Sequence, residues 1–276
     1  MTFVLQMLET GKGKSPIHDL DPRAKLLWWI CMIIVPILVT NPFILLGFTI
    51  WIWIMAAIAK VARPMYRFLI VTYPMMVGFI VLTWPFFYRG SADQDYLIYW
   101  GIIHVSVQGL IYAAAMGMRI IMALTACTFF VMTTDLMDLA SAVGEFLQKY
   151  LHISYMYPLM IISSFKFLPE MSGDYLTITD SFRSRALDID QGSLVQKMKK
   201  SAPVAIPLID GMLRKAQNIA IALELKAFDT SNVHRTFYKQ HHFRFPDVLF
   251  ILSGVVSILI CIFAMYMGWA RVEAYL

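Results

Sequence analysis

Leu26–Ala59 reads LLWWICMIIVPILVTNPFILLGFTIWIWIMAAIA, a run of 34 residues without Asp, Glu, Lys or Arg. A membrane-spanning helix needs about 20 apolar residues, so this run is too long for one span. Asn41-Pro42 stands near its middle and is a typical turn signal. The run therefore predicts two membrane helices, Pro22–Val39 and Phe43–Ala59.

Three further segments are apolar enough to cross a membrane, namely Phe68–Tyr88, Gln108–Met132 and Val248–Ala270. Only Arg119 interrupts the second of them with a charge. This arginine is either a functional intramembrane charge or a structural cation that pairs with a neighbour or snorkels to the interface. The sequence thus predicts an all-α membrane protein with about five transmembrane helices.

Charge is concentrated in one part of the chain. The 276 residues are 59% hydrophobic and only 15% charged, with a mean hydropathy of +0.65, whereas soluble domains are about one quarter charged. Residues 135–246 nevertheless hold 24 of the 41 Asp, Glu, Lys and Arg side chains. We therefore predict a membrane domain of four spans at 1–134, a polar domain at 135–246 and a last transmembrane helix at 247–276.

The polar domain reads as three amphipathic helices, because apolar residues recur at helical spacing. The first follows Asp135, the second runs from about Tyr155 to Leu187, and the third from about Leu194 to Phe228. The second and third close with similar basic ends, RSRAL at 183–187 and ELKAF at 224–228. Each places a cation beside an alanine at a helix C-terminus, where positive charge suits the helix dipole. Either end alone is most simply a solvent-exposed cation in a favourable position relative to the helix dipole. Two such ends suggest instead that the chain inserts two helix tips, which we call prongs, into a partner.

Orientation follows from the basic residues, which favour the cytoplasmic side. With the N-terminus in the cytoplasm, 20 of the 23 Lys and Arg residues are cytoplasmic. Arg89 and Arg271 fall outside and Arg119 lies in a span. The same orientation makes Tyr88–His104 an external loop.

The start of the first predicted helix reads LDPRAKLL at 20–27. Asp21 is a typical N-cap residue, and Pro22 suits the first helical position. Thr133-Thr134 ends the fourth span and precedes a Leu-x-x-Leu-Ala helix. On these residues and the two basic ends, nearly the whole chain resembles the transmembrane T component of energy-coupling factor (ECF) transporters, which are ABC-type importers of vitamins and transition-metal ions.

The resemblance implies that residues 135–246 are a cytoplasmic coupling domain, whose prongs bind two cytoplasmic ABC ATPase subunits. It also implies a membrane-embedded S component that captures the substrate, in the plasma membrane of a prokaryote. ATP and Mg would belong to the partner ATPases, and no cofactor or metal to this chain. The family prongs usually end in Ala-Arg-Gly-like motifs; here both glycines are alanines, and Lys226 keeps the charge of arginine without its bidentate fork.

The residues that these implications single out form three sets. The ATPase-coupling residues are Arg183, Ser184, Arg185, Ala186, Glu224, Lys226 and Ala227. The N-terminal signature is Asp21, Pro22, Arg23 and Lys25. The expected S-component docking residues are Phe146, Met156, Met160, Phe165 and Met171. The alternative is that the methionines only pack within this chain and contact no partner.

Other functions find little support in the sequence. Gly13-Lys14-Ser15 resembles the end of a phosphate-binding loop, but Leu8 stands where the first glycine is required. His241-His242 lacks a third metal ligand nearby, and no nucleophile–base arrangement or nucleic-acid partner is indicated. A stand-alone secondary transporter is the main alternative, although the predicted spans carry no acids for ion coupling; an intramembrane enzyme is a weaker one.

Overall fold

The computed structural model describes residues 15–87, 96–100, 103–151, 156–185, 194–227 and 243–270. These residues are almost entirely helical. The elements in chain order are α1 (Pro22–Leu38), α2 (Pro42–Ile58), α3 (Ala62–Phe87), β1 (Tyr96–Trp100), β2 (Ile103–Ser106), α4 (Val107–Thr133), α5 (Leu136–Leu151), α6 (Met156–Ser184), α7 (Leu194–Leu225) and α8 (Phe245–Tyr266).

The chain separates into two compact units. The first, which we call the membrane unit, comprises Met1–Ala142 and His241–Leu276, and the second, the insert unit, comprises Val143–Gln240. The insert unit carries α6 and α7, and the membrane unit carries α1 to α4 and α8.

Among the described residues of the membrane unit, three helices are long and apolar enough to cross a bilayer, over Ala62–Thr83, Ile111–Thr133 and Phe245–Tyr266. Helices α1 and α2 have 17 residues each, which is about 25 Å and slightly less than the ~30 Å hydrocarbon core. The predicted all-α membrane architecture is confirmed. Helix α3 begins before the predicted Phe68, because Arg63 and Arg67 belong to its first two turns.

The predicted loop Tyr88–His104 includes strand structure, while its external location stays a prediction. Strands β1 and β2 pair in antiparallel fashion, with Tyr99 opposite His104 and Trp100 opposite Ile103. Both strands are rich in aromatic and β-branched residues, which favour extended structure. That composition was the available signal for a hairpin.

The core of the membrane unit centres on Trp28 of α1. Its ring lies 5.3 Å from the ring of Phe129 and 5.0 Å from that of Phe250, between centroids, so α1, α4 and α8 share one aromatic cluster. A Cβ at Gly254 would lie 3.1 Å from the Trp28 side chain. Small residues at such crossings let membrane helices approach closely.

At one end of the membrane unit, which we call the Asp21 end, helices α1 and α8 begin and helix α4 ends. The backbone N–H of Asp21, before α1, donates to Asp247 Oδ1 in α8 at 2.8 Å. Lys25 Nζ donates to the carbonyl of Thr133, the last residue of α4, at 3.0 Å. Helices α1 and α8 therefore leave this end, and α4 arrives at it.

The opposite end, which we call the Thr40 end, contains the turn between α1 and α2. The backbone N–H groups of Thr40 and Asn41 donate to the carbonyl of Ala270, after α8, at 2.8 and 3.2 Å. Asn41 Oδ1 accepts the N–H of Phe43 at 3.0 Å and so caps α2. Helices α1 and α8 thus run in the same direction, as an odd number of alternating spans requires.

Candidate functional site

The first predicted prong is the end of α6. Arg183 Nη1 lies 3.2 Å from Asp180 Oδ1 in an exposed ion pair, and the Ser184 hydroxyl donates to the Asp180 carbonyl at 3.0 Å. The Arg185 side chain is exposed, and no carboxylate in the described part of the chain pairs with it. Arg185 is therefore the cation of this end that is open to a partner, while Ala186 lies outside the described residues.

The second predicted prong is the end of α7, and its backbone forms a helix cap. Lys226 is the C-cap, since its N–H still donates to Ala222 at 3.3 Å. The next residue, Ala227, donates to the Glu224 carbonyl at 2.8 Å and has φ +51°. This is the left-handed position that commonly ends a helix and favours glycine. The side chains of Glu224 and Lys226 are exposed, so the cap presents Lys226 at the helix tip.

Replacing Ala227 by Gly is expected to stabilise this cap by about 1 kcal/mol, because a Cβ is strained at positive φ. The matched control is Ala222→Gly in the helical part of the same turn, which is expected to cost about 1 kcal/mol. Amide hydrogen exchange over 218–227 should become slower in the first variant and faster in the second. Changes of the same sign in both variants would contradict the cap assignment.

The two long helices are joined by a cluster of three charges. Lys215 Nζ of α7 donates to Asp174 Oδ2 at 2.6 Å and to Glu170 Oε1 at 2.9 Å, both on α6. These hydrogen bonds, first from Asp174 and then from Glu170, raise the pKa of Lys215 above its ordinary value. Phe167, Met171, Met212 and Ala216 line a small cavity together with the cluster, so the two helices meet around a charged centre.

The crossing lies at the same chain distance from both tips. Asp174 precedes Arg185 by eleven residues, and Lys215 precedes Lys226 by eleven residues. At 1.5 Å per residue each arm is about 16 Å long. The geometry therefore supplies two arms of equal residue count beyond the Lys215 cluster.

The five predicted docking residues are all exposed. They are Phe146 on α5 and Met156, Met160, Phe165 and Met171 on α6. At about 100° per residue, the three methionines fall within about 60° of one another on α6, whereas Phe165 points to another side of the helix. Phe165 instead shares a stripe with Tyr157, Ile161 and Leu168, which are also exposed. The apolar surface of α6 thus covers more than one face.

The N-terminal signature forms a buried polar network at the Asp21 end. The predicted cap is confirmed, because Asp21 Oδ1 accepts the Arg23 N–H at 2.9 Å and Pro22 opens the helix. Arg23 Nε donates to the Ala142 carbonyl at 3.2 Å. Lys25 is only 4% exposed and donates to the His18 and Thr133 carbonyls. The signature therefore ties α1 to α4 and α5.

Sequence reasoning missed the acid that completes this network. Asp247 is 2% exposed, and its Oδ2 accepts the Arg244 N–H at 2.6 Å while its Oδ1 accepts the Asp21 N–H. One carboxylate thus satisfies a backbone donor at the start of α8 and another just before α1. The available signal was an acid directly after Pro246 in the first turn of an apolar helix, where a carboxylate is favoured.

The family described as cobalt transport protein, CbiQ, matches residues 13–236, a stretch that includes the signature, both tips and the crossing. The chain belongs to the EcfT/CbiQ family. Members of this family are the transmembrane components of energy-coupling factor transporters.

Individual relatives extend the match over nearly the full length. The energy-coupling factor transporter transmembrane protein EcfT of Streptococcus equi subsp. equi is 30% identical over 251 residues, which cover 88% of this chain and 90% of that protein. EcfT of Lactococcus lactis subsp. cremoris is 25% identical over 264 residues, covering 95% and 96%. The chain is therefore a multi-pass membrane subunit of a transporter.

Proposed function

We propose that this chain is the coupling subunit of an ECF-type importer, which transmits the motions of two ABC ATPase subunits to a substrate-binding S component. The observation that carries the proposal is the pair of exposed cations, Arg185 and Lys226, at the ends of two helices that share one crossing. Hydrolysis of ATP, and the ATP and Mg that it requires, belong to the partner subunits in this proposal.

Force transmission follows from the helical arms. Each tip protrudes about 16 Å beyond the Lys215 cluster, and a hydrogen-bonded helix resists compression along its axis. When ATPase subunits approach one another, their displacement reaches the crossing through both arms together. The tips themselves suit an acidic socket, because a cation that is desolvated beside a carboxylate gains a strong and specific contact.

The apolar surface of α6 supports contact with an S component. Met156, Met160 and Met171 offer flexible, polarisable side chains, which suit a surface that must repack against a moving partner. Contiguous exposed apolar residues mark interaction sites or lipid contact. We assign the methionine face of α6 to the S component, and the stripe that contains Phe165 is a second apolar surface for the same partner.

The orientation that we propose places the Asp21 end in the cytoplasm of a prokaryote, at the plasma membrane. Arg23 and Lys25 lie at this end, and Lys60, Arg63 and Arg67 follow where α2 returns to it. Helix α2 leaves the Thr40 end beside α8, since Ile44 to Trp51 and Leu249 to Ile260 line one apolar groove. The positive side of the unit is thus the side expected to face the cytoplasm.

The transported cargo is proposed only as a class, a vitamin or a transition-metal ion, because the selective pocket would lie in the S component. A secondary transporter that works alone is the competing function. It would need no ATPase and no S component.

Co-expression with the neighbouring genes separates these functions. Affinity purification of the tagged chain is expected to recover two ATPase subunits and one small membrane protein, and uptake in liposomes is expected to require ATP. The matched control is the chain expressed alone, which should show no uptake. Uptake by the chain alone without ATP would overturn the coupling role.

A further inference from the structure

Arg119 is a cation within the apolar part of α4, in the span Ile111–Thr133. Its Nη2 donates to the Thr40 hydroxyl at 3.3 Å, and its Nη1 lies 3.7 Å from the Met116 sulfur. Its Nε is buried without a hydrogen-bond partner. Within the described part of the chain no carboxylate forms an ion pair with Arg119. Among the described residues, a hydroxyl and a thioether are the groups that hold this intramembrane cation. These neutral groups under-compensate its charge, since intramembrane charges are normally paired.

The depth of this guanidinium can be placed from the helix itself. Arg119 precedes Thr133, at the Asp21 end, by 14 residues, which is about 21 Å of helix. Side chains of long residues point toward the N-terminus of their helix, which for α4 is the direction of the Thr40 end. The contact with Thr40 agrees with this direction, so the charge lies close to the far boundary of the ~30 Å hydrocarbon core.

Aromatic residues mark the same boundary. Phe43, Tyr266 and Trp269 are 82%, 87% and 62% exposed. Phe43 lies beside the turn at Thr40, Tyr266 is the last residue of α8, and Trp269 follows that helix. Tyr and Trp gather at the membrane–water interface, where lipid headgroups begin. The Arg119 guanidinium therefore points from within the span toward the leaflet at the Thr40 end, where headgroup phosphates begin.

We propose that Arg119 binds the phosphate of a phospholipid headgroup in the leaflet at the Thr40 end. The guanidinium fork matches phosphate oxygens geometrically, and arginine is more weakly hydrated than an ammonium group. The bound phosphate supplies the counter-charge that the described protein groups do not. This inference uses the membrane architecture and does not depend on the coupling role.

The test measures lipid binding to the purified chain in detergent by native mass spectrometry and thermal unfolding. Four probes are used: phosphatidylglycerol, phosphatidylcholine, diacylglycerol and inorganic phosphate. Both phospholipids should bind and raise the unfolding midpoint, whereas diacylglycerol and inorganic phosphate should have little effect. In Arg119→Gln the affinity for one phospholipid molecule should fall about tenfold, the value of a lost charge-assisted hydrogen bond, and Arg119→Lys should retain part of it.

Thr40→Val is the matched control, because it removes the hydroxyl that accepts from Arg119 but leaves the cation. It should keep phospholipid binding, and Arg119→Gln should unfold in lipid-free detergent at a midpoint no lower than the original chain. Equal phospholipid affinity in Arg119→Gln would overturn the proposal. The proposal would also fail if diacylglycerol raised the unfolding midpoint as much as the phospholipids do, because the effect would then come from the acyl chains. It would fail as well if inorganic phosphate did so, because the site would then bind a free anion.

Discussion

Purification of the Arg185→Glu, Lys226→Glu double variant is expected to yield the membrane chain without ATPase subunits. Each cation is exposed in the described structure and stands at the end of its own helix. Reversing a charge that pairs with a carboxylate at a buried interface costs 2 kcal/mol or more. Each single variant should therefore bind ATPase at least about 30-fold more weakly, and the two losses together should abolish stable association.

The measurement is the amount of ATPase recovered with the tagged chain, followed by ATP-dependent uptake in liposomes. Arg214→Glu is the matched control, since Arg214 lies on the same helix as Lys226 but pairs with Asp210 on the helix surface. It makes the same charge change away from the tips and should leave assembly intact. Normal ATPase recovery by the double variant would refute the two-prong interpretation.

The second large effect is expected from Asp247→Ala. The substitution leaves the buried N–H of Asp21 and the part-buried N–H of Arg244 without their acceptor. It also removes a carboxylate near the buried Lys25 ammonium. Unsatisfied buried donors cost about 1–3 kcal/mol each. We expect a loss of about 3 kcal/mol in the free energy of unfolding, which corresponds to roughly 10 °C in the unfolding midpoint.

Thermal unfolding in detergent measures this loss. Asp247→Asn is a second variant with a smaller expected effect. Asparagine keeps one acceptor oxygen but turns an amide donor toward a backbone N–H, so an intermediate midpoint is expected. Asp210→Ala removes an exposed acid and should stay within about 0.5 kcal/mol of the original chain. A midpoint of Asp247→Ala equal to that of Asp210→Ala would show that the network contributes nothing to stability.

The helices could be predicted closely because their signals are local. Asp21-Pro22 and Asn41-Pro42 mark helix starts by capping chemistry, and the apolar runs between them are unmistakable in length. The predicted start at Phe68 is too late because an uncharged run excludes the basic first turns of α3. The strand pair Tyr96–Trp100 and Ile103–Ser106 was missed because it lies between strong helical signals.

The candidate site divides in the same way. Arg185 and Lys226 could be singled out since a helix C-terminus and its charge are read from neighbouring residues. The Lys215 cluster and the role of Asp247 could not, because each joins residues that are distant in the chain. The family motif usually has glycine at the position of Ala227. The left-handed φ of this residue explains that preference, because glycine adopts positive φ without strain.

The hydrogen bond between Asp21 and Asp247 joins residues that are 226 positions apart. A ribosome must therefore translate most of the message before the first membrane helix receives its closing acceptor. Until that moment the nascent protein carries an open N–H group near the bilayer surface. A copy that terminates before Asp247 never supplies that acceptor to the start of the first membrane helix.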